Sequence, residues 1–272
     1  MLIVMFAVGS ILTAPANTAV SVLTADFPVE SVKIPTTDQS VVHGWLVHGK
    51  PGGGAILLIH SMRSNRMEML SRARFLKNQG YSVLFIDLQA HGETAGDKIT
   101  FGLKEAENVE VAIAYLRKTL PGERLAAIGT SLGAAAIVLA KQDLKLNAII
   151  LESLHPTIEE AIDNRLKLHL GEYGSLLLPL MLWQLSFNLN VPLDELSPIK
   201  HIKNLHAPTL FISGTHDAHT TQSETERLYA AANAPKELWI VSGARHFNMH
   251  TYAGRVYEEY VIDFLAQYMR EH

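Results

Sequence analysis

Gly129-Thr130-Ser131-Leu132-Gly133 has the G-x-S-x-G spacing that can carry a nucleophilic serine on a sharp strand-to-helix turn. Chance alone produces such a pentapeptide in roughly one chain in ten of this length, so its surroundings decide its meaning. Residues 124–128 read as a strand, and residues 132–141, with three alanines, read as a helix. A turn that tight strains the serine backbone and crowds its neighbours, which explains small residues at both ±2 positions. The Ser131 hydroxyl would then project at the carboxyl end of a sheet, at a helix N-terminus that favours developing negative charge. A serine that merely caps a helix after a glycine turn would show the same letters without the chemistry.

A serine hydroxyl needs a base. His246 stands in Ser242-Gly243-Ala244-Arg245-His246, a glycine-containing loop after the last expected strand, and Asp217 stands in Gly214-Thr215-His216-Asp217 after the strand before it. Asp217 could hold the imidazole tautomer and stabilise the imidazolium. The chain order Ser131, Asp217, His246 is that of the α/β-hydrolase arrangement, unlike the chymotrypsin and subtilisin orders. Glu152, just past an earlier strand, is a rival acid, and Asp217 could be only a turn residue. The pairs His216/His219 and His246/His250 have metal-like spacing but lack the glutamate of H-E-x-x-H and fall in loops, so no metal is expected. No cofactor is expected either. The chain contains no cysteine, which removes thiolate catalysis, disulfides and cysteine-based zinc sites.

These groups need a scaffold. At 272 residues, 48% hydrophobic and 18% charged, the chain suits one large α/β domain. Residues 29–34 and 41–47 have no helix between them and should pair antiparallel at one edge. Residues 55–60, 82–87, 124–129, 147–151, 208–213 and 237–241 read as further strands, alternating with helical patterns as in βαβ units. Ala106, Val109, Ile113 and Leu116 mark one helix. Tyr257, Tyr260, Val261, Phe264, Leu265 and Tyr268 give the C-terminal helix a one-sided apolar stripe. The fold class is therefore α/β, with a mostly parallel central sheet and helices on both faces. More than fifty residues, about 154–206, separate two of the strands, far beyond an ordinary crossover. That insertion reads as a helical lid over the site, and its apolar run makes Trp183 and Phe187 candidate substrate-binding residues. An extra helical pair covering the sheet is the plainer alternative.

The net charge of −4, with no basic run, points to no nucleic acid. Residues 1–25 carry no charge and form a hydrophobic N-terminal segment ahead of the domain at 26–272. They read as a signal with a small-residue cleavage site at Ala14-Pro15-Ala16, or as an anchor giving membrane association. The alternative is a helix packed on a cytoplasmic domain. Oligomeric state is not legible.

From Glu30 onward the chain resembles the α/β-hydrolase superfamily, in its branch of single-domain acyl hydrolases and serine aminopeptidase-like proteins. Besides the serine, aspartate and histidine, the resemblance rests on Leu57-Leu58-Ile59-His60-Ser61-Met62-Arg63-Ser64-Asn65-Arg66 and on Asp87-Leu88-Gln89-Ala90-His91-Gly92-Glu93-Thr94. It implies an α/β-hydrolase fold and an oxyanion hole made by the backbone N–H groups of Met62 and Leu132. Ser61 departs from the glycine usual in that loop, and Thr94 from a serine. The implied activity is hydrolysis of carboxylic esters through an acyl-enzyme, with a small acyl compound as substrate. A peptidase or amidase using the same groups is one alternative, and a non-catalytic binding protein is another. An apolar pocket under the insertion would make turnover rise toward medium-chain acids.

Overall fold

The computed structural model describes residues 12–21, 27–246 and 248–270. Eight strands form one sheet: β1 (Glu30–Pro35), β2 (Val41–Val47), β3 (Ala55–Ile59), β4 (Ser82–Ile86), β5 (Leu125–Thr130), β6 (Ala148–Glu152), β7 (Thr209–Gly214) and β8 (Lys236–Val241). Their spatial order is β8-β7-β6-β5-β3-β4-β2-β1, parallel throughout except that β2 runs antiparallel to both neighbours. The antiparallel pair expected at one edge is β1–β2.

Central strands are apolar at nearly every position because both faces are covered. Every residue of β3, β4, β5 and β6 is buried. Successive side chains still alternate between two cores, as strand geometry requires. In β3, Ala55, Leu57 and Ile59 face one core, while Ile56 and Leu58 face the other. Helices α2 (Glu105–Thr119), α3 (Leu132–Val138) and the later Gln222–Ala231 cover the first face; α1 (Leu70–Asn78) and the C-terminal Arg255–Met269 cover the second. The C-terminal helix buries Tyr257, Val261, Phe264, Leu265 and Met269, so its expected stripe is its packing face. Each such aliphatic or phenyl side chain contributes about 1.5–3 kcal/mol by leaving water.

Between β6 and β7 the chain forms α4 (Ile158–Leu170), α5 (Leu178–Leu189) and the short α6 (Pro198–His201). Thr157 caps α4 by accepting from the Glu160 N–H. Ile158, Ala161 and Ile162 of α4 and Met181 and Leu185 of α5 form a third, smaller core with Phe101. The remaining helices are α7 (Gln222–Ala231), α8 (Met249–Ala253) and α9 (Arg255–Met269).

Residues 12–20 lie on the domain. Ala16 and Asn17 pair in parallel with His91 and Gly92, Thr13 accepts from the Ile99 N–H at 2.8 Å, and Val20 is buried. Most of the uncharged N-terminal stretch, residues 1–11 and 22–25, lies outside the described residues. Among the described residues no helix is long and apolar enough to cross a membrane.

Candidate active site

Register brings the chemistry together. Ile59 of β3 pairs with Ile86 and with Gly129, Thr130 of β5 with Glu152, and Val241 of β8 with Gly214 of β7. The carboxyl ends of these strands therefore form one rim, where open α/β sheets place ligands. Met62, Ser131, Asp217 and His246 all stand on loops leaving that rim.

Ser131 has φ 51° and ψ −105°, a conformation that costs an L-residue about 1–3 kcal/mol and persists only where its surroundings impose it. The surroundings do so through two close approaches. A Cβ on Gly129 would lie 2.6 Å from the Ala134 nitrogen, and one on Gly133 would lie 2.4 Å from the Ile59 carbonyl oxygen. Glycine at both positions lets α3 begin directly against β3 and β5. Among the described residues the Ser131 hydroxyl has no hydrogen-bond partner, and the residue opens into a cavity of about 40 Å³.

His246 Nδ1 lies 2.9 Å from Asp217 Oδ2 and 3.1 Å from Oδ1. With Nδ1–H donating to the carboxylate, Nε2 is left as the acceptor. Asp217 Oδ1 also accepts from the His219 and Thr220 N–H groups, each at 2.9 Å. Burial pushes the Asp217 carboxyl up. The hydrogen bond and charge of His246, with the Thr220 N–H, outweigh it, so the carboxyl titrates below its ordinary range. The His219 ring packs 4.8 Å from that of His246, centroid to centroid.

Glu152, the rival acid, is committed elsewhere. Its carboxylate is fully buried, takes Arg72 NH2 at 2.5 Å and the Tyr257 hydroxyl at 2.6 Å, and accepts from Thr130 Oγ1 at 3.0 Å. The backbone N–H groups of Met62 and Leu132 have no protein acceptor among the described residues, and both residues line the Ser131 cavity. His60 shapes the first of these loops: Nε2 accepts from the Leu88 N–H at 3.0 Å and Nδ1 donates to the Ser61 carbonyl at 2.7 Å. Ser61, in the usual glycine position, is tied by its N–H and hydroxyl to Glu68 Oε2. Asp87 and Arg66 form a buried ion pair that braces the two family-like segments against each other.

Trp183 and Phe187 are not brought to Ser131. Their rings stack on each other at the outer side of α5, 55% and 68% exposed, while Met181, Gln184 and Leu185 turn inward. The cavity is instead walled by Leu12, Phe101, Ile158, Ala161 and Ile162, with His155 and Arg165 as its further polar residues. Residues 158, 161, 162 and 165 follow the i, i+3, i+4, i+7 spacing of one helix face, a signal that a search for apolar stripes alone passes over because it ends in arginine. His155 is buried, and that burial, with the nearby charges of Arg165 and His246, drives its pKa down to about 3.

The sheet order, the strained serine and the rim of loops are those of the α/β-hydrolase fold. Solved structures agree: an esterase from Pyrococcus furiosus, Pf2001, superposes with a TM-score of 0.78 over 95% of this chain and 98% of its own, at 22% identity. The acylaminoacyl peptidase of Pyrococcus horikoshii superposes with a TM-score of 0.69 over 90% of this chain and 42% of its own, at 16% identity. In sequence the chain is 29% identical over 257 residues to the uncharacterized protein Rv2307c of Mycobacterium tuberculosis, covering 93% of this chain and 84% of that protein. No protein-family model matches.

Proposed function

We propose that the chain is a serine hydrolase that cleaves carboxylic esters of short acyl groups. The observation that carries this is Ser131, strained and free at the mouth of a cavity, on the same rim as a histidine oriented by a buried carboxylate. In this scheme Ser131 attacks the carbonyl carbon and its proton passes to His246 Nε2. The N–H groups of Met62 and Leu132 hold the oxyanion, and Asp217 stabilises the imidazolium. His246 then protonates the leaving alcohol, and water attacks the acyl-enzyme by the same route in reverse. Contacts between serine and histidine are often long without substrate and tighten in the complex.

The esterase likeness supports the ester reading, and the insertion, whose α4 roofs the cavity, serves as its lid. The cavity has room for a few water-sized groups rather than a medium-length chain, which favours short acids over the medium-chain acids expected earlier. A fluorophosphonate probe should label the protein once, and Ser131→Ala should lose both labelling and hydrolysis of p-nitrophenyl acetate. Persistent labelling in that variant sinks the reading. Turnover of aminoacyl arylamides in place of esters would favour the peptidase alternative, and no turnover with no labelling would favour a binding protein.

A further inference from the structure

Arg165 brings a positive charge into the wall of a cavity that is otherwise mostly apolar. Burial lowers its pKa and the charges of Asp217 and Glu224 oppose that, but a guanidinium does not deprotonate in a protein. Its NH1 donates to the Ala161 carbonyl one turn back at 2.7 Å, and among the described residues it forms no ion pair.

The two nearby carboxylates are engaged elsewhere. Asp217 is taken by His246 and by the His219 and Thr220 N–H groups. Glu224 accepts from the Asn164 side chain at 2.8 and 3.0 Å and from the Thr221 N–H at 2.8 Å, closing the cap of α7. Beside Arg165, His155 lines the same cavity with its Nε2 buried and without a partner.

The charges of Asp217 and Glu224 act on Arg165 without a direct ion pair among the described residues, and a largely desolvated guanidinium fork suits a carboxylate best. We propose that Arg165 selects esters whose acyl portion carries a second, free carboxylate, namely hemiesters of short dicarboxylic acids, with His155 Nε2–H as a second donor. The small cavity limits the spacer between the two carbonyl groups to a few carbons. This rests on the serine hydrolase reading and narrows its substrate class.

The test compares p-nitrophenyl hydrogen succinate with p-nitrophenyl butyrate, which has the same chain length and no charge. In wild type kcat/KM should favour the succinate ester about 10–100-fold, the worth of one charged hydrogen-bonded pair. Free succinate should inhibit butyrate hydrolysis competitively, and less so as salt rises. Arg165→Gln should bring the ratio of the two esters toward unity, chiefly through KM for succinate, and Arg165→Lys should leave an intermediate ratio. A wild-type ratio at or below one overturns the proposal, as does a ratio unchanged in Arg165→Gln, the result expected if Arg165 only balances Asp217 and Glu224. If that variant does not fold, the wild-type ratio and the succinate inhibition decide. Failure of both esters together with failure of fluorophosphonate labelling would instead remove the hydrolase reading itself.

Discussion

The Ser131 N–H donates to the carbonyl oxygen of Glu152 at 2.8 Å, so the last rung between β5 and β6 lies at the strained serine itself. The carboxylate of the same Glu152 is fixed from behind by Arg72, Tyr257 and Thr130. Burial opposes the Arg72 charge, yet the Glu152 carboxylate raises its pKa above the ordinary range. The turn is thus pinned by main chain on one side and by a buried ion pair on the other. Loss of one member leaves the other charged and uncompensated, which costs about 3–5 kcal/mol.

Glu152→Gln and Asp217→Asn should therefore separate. The first should lower the urea midpoint strongly, while the folded fraction still labels with fluorophosphonate. The second should leave most of the stability and cut kcat by about 10³–10⁴-fold, the effect of an imidazole in the wrong tautomer. Equal losses of kcat in the two variants would argue against Asp217 as the partner of His246.

Acid should destabilise the fold through its buried histidines. Burial lowers the pKa of His60, takes His91 to about 4 with help from the His60 charge, and takes His155 to about 3. Unfolded, each takes up a proton near its ordinary value of about 6.5. Below that pH the unfolded chain binds more protons than the folded one, so stability present at neutral pH is lost as pH falls toward the folded values. Each of these buried imidazoles contributes up to about 1.4 kcal/mol per pH unit. The lowered Asp217 acts in the same direction. Urea midpoints should fall between about pH 6.5 and 4, less steeply in His155→Leu, and a flat profile would contradict the assignment.

Chain-length dependence should be set by the cavity walls and not by the outer face of the insertion. Ile162→Ala should move the optimum to a longer acid, with about 0.8 kcal/mol gained per methylene until the new space is filled. Trp183→Ala and Phe187→Ala should leave the wild-type profile in place, because both rings lie outside the cavity. A profile that flattens in those two variants and not in Ile162→Ala would return them to the binding site.

What was legible in the chain follows from how local each signal is. The runs Ala55–Ile59 and Leu125–Thr130 are strands covered on both faces, and such burial leaves a continuous apolar run. Ser131, Asp217 and His246 share one rim because each follows a strand, and strand ends are set by the sheet. Arg165 and His155 depend on the path of an insertion with no such frame. Trp183 and Phe187 lie on the outer side of α5, which is apolar nearly all round, so composition does not say which side turns inward.

The N-terminal stretch offers the last test. Lack of charge made residues 1–25 look separable from the domain, yet residues 12–20 are built into it. The Ala16 N–H donates to the Ala90 carbonyl at 2.7 Å and the Thr18 N–H to that of Gly92 at 2.9 Å, while Asn17 Nδ2 donates to the Thr94 carbonyl at 2.8 Å. Leu12 walls the Ser131 cavity and Val20 joins the core on the α1 and α9 face. Those bonds are worth about 1 kcal/mol each and the buried valine somewhat more. A chain beginning at residue 26 should accordingly unfold at lower urea, by a few kcal/mol, and hydrolyse esters less efficiently with one wall of the cavity gone. Asn17→Ala in the full chain should show about 1 kcal/mol of the same loss. Equal urea midpoints and equal kcat/KM for the shortened and full chains would mean that the segment adds nothing to the domain and serves some other end.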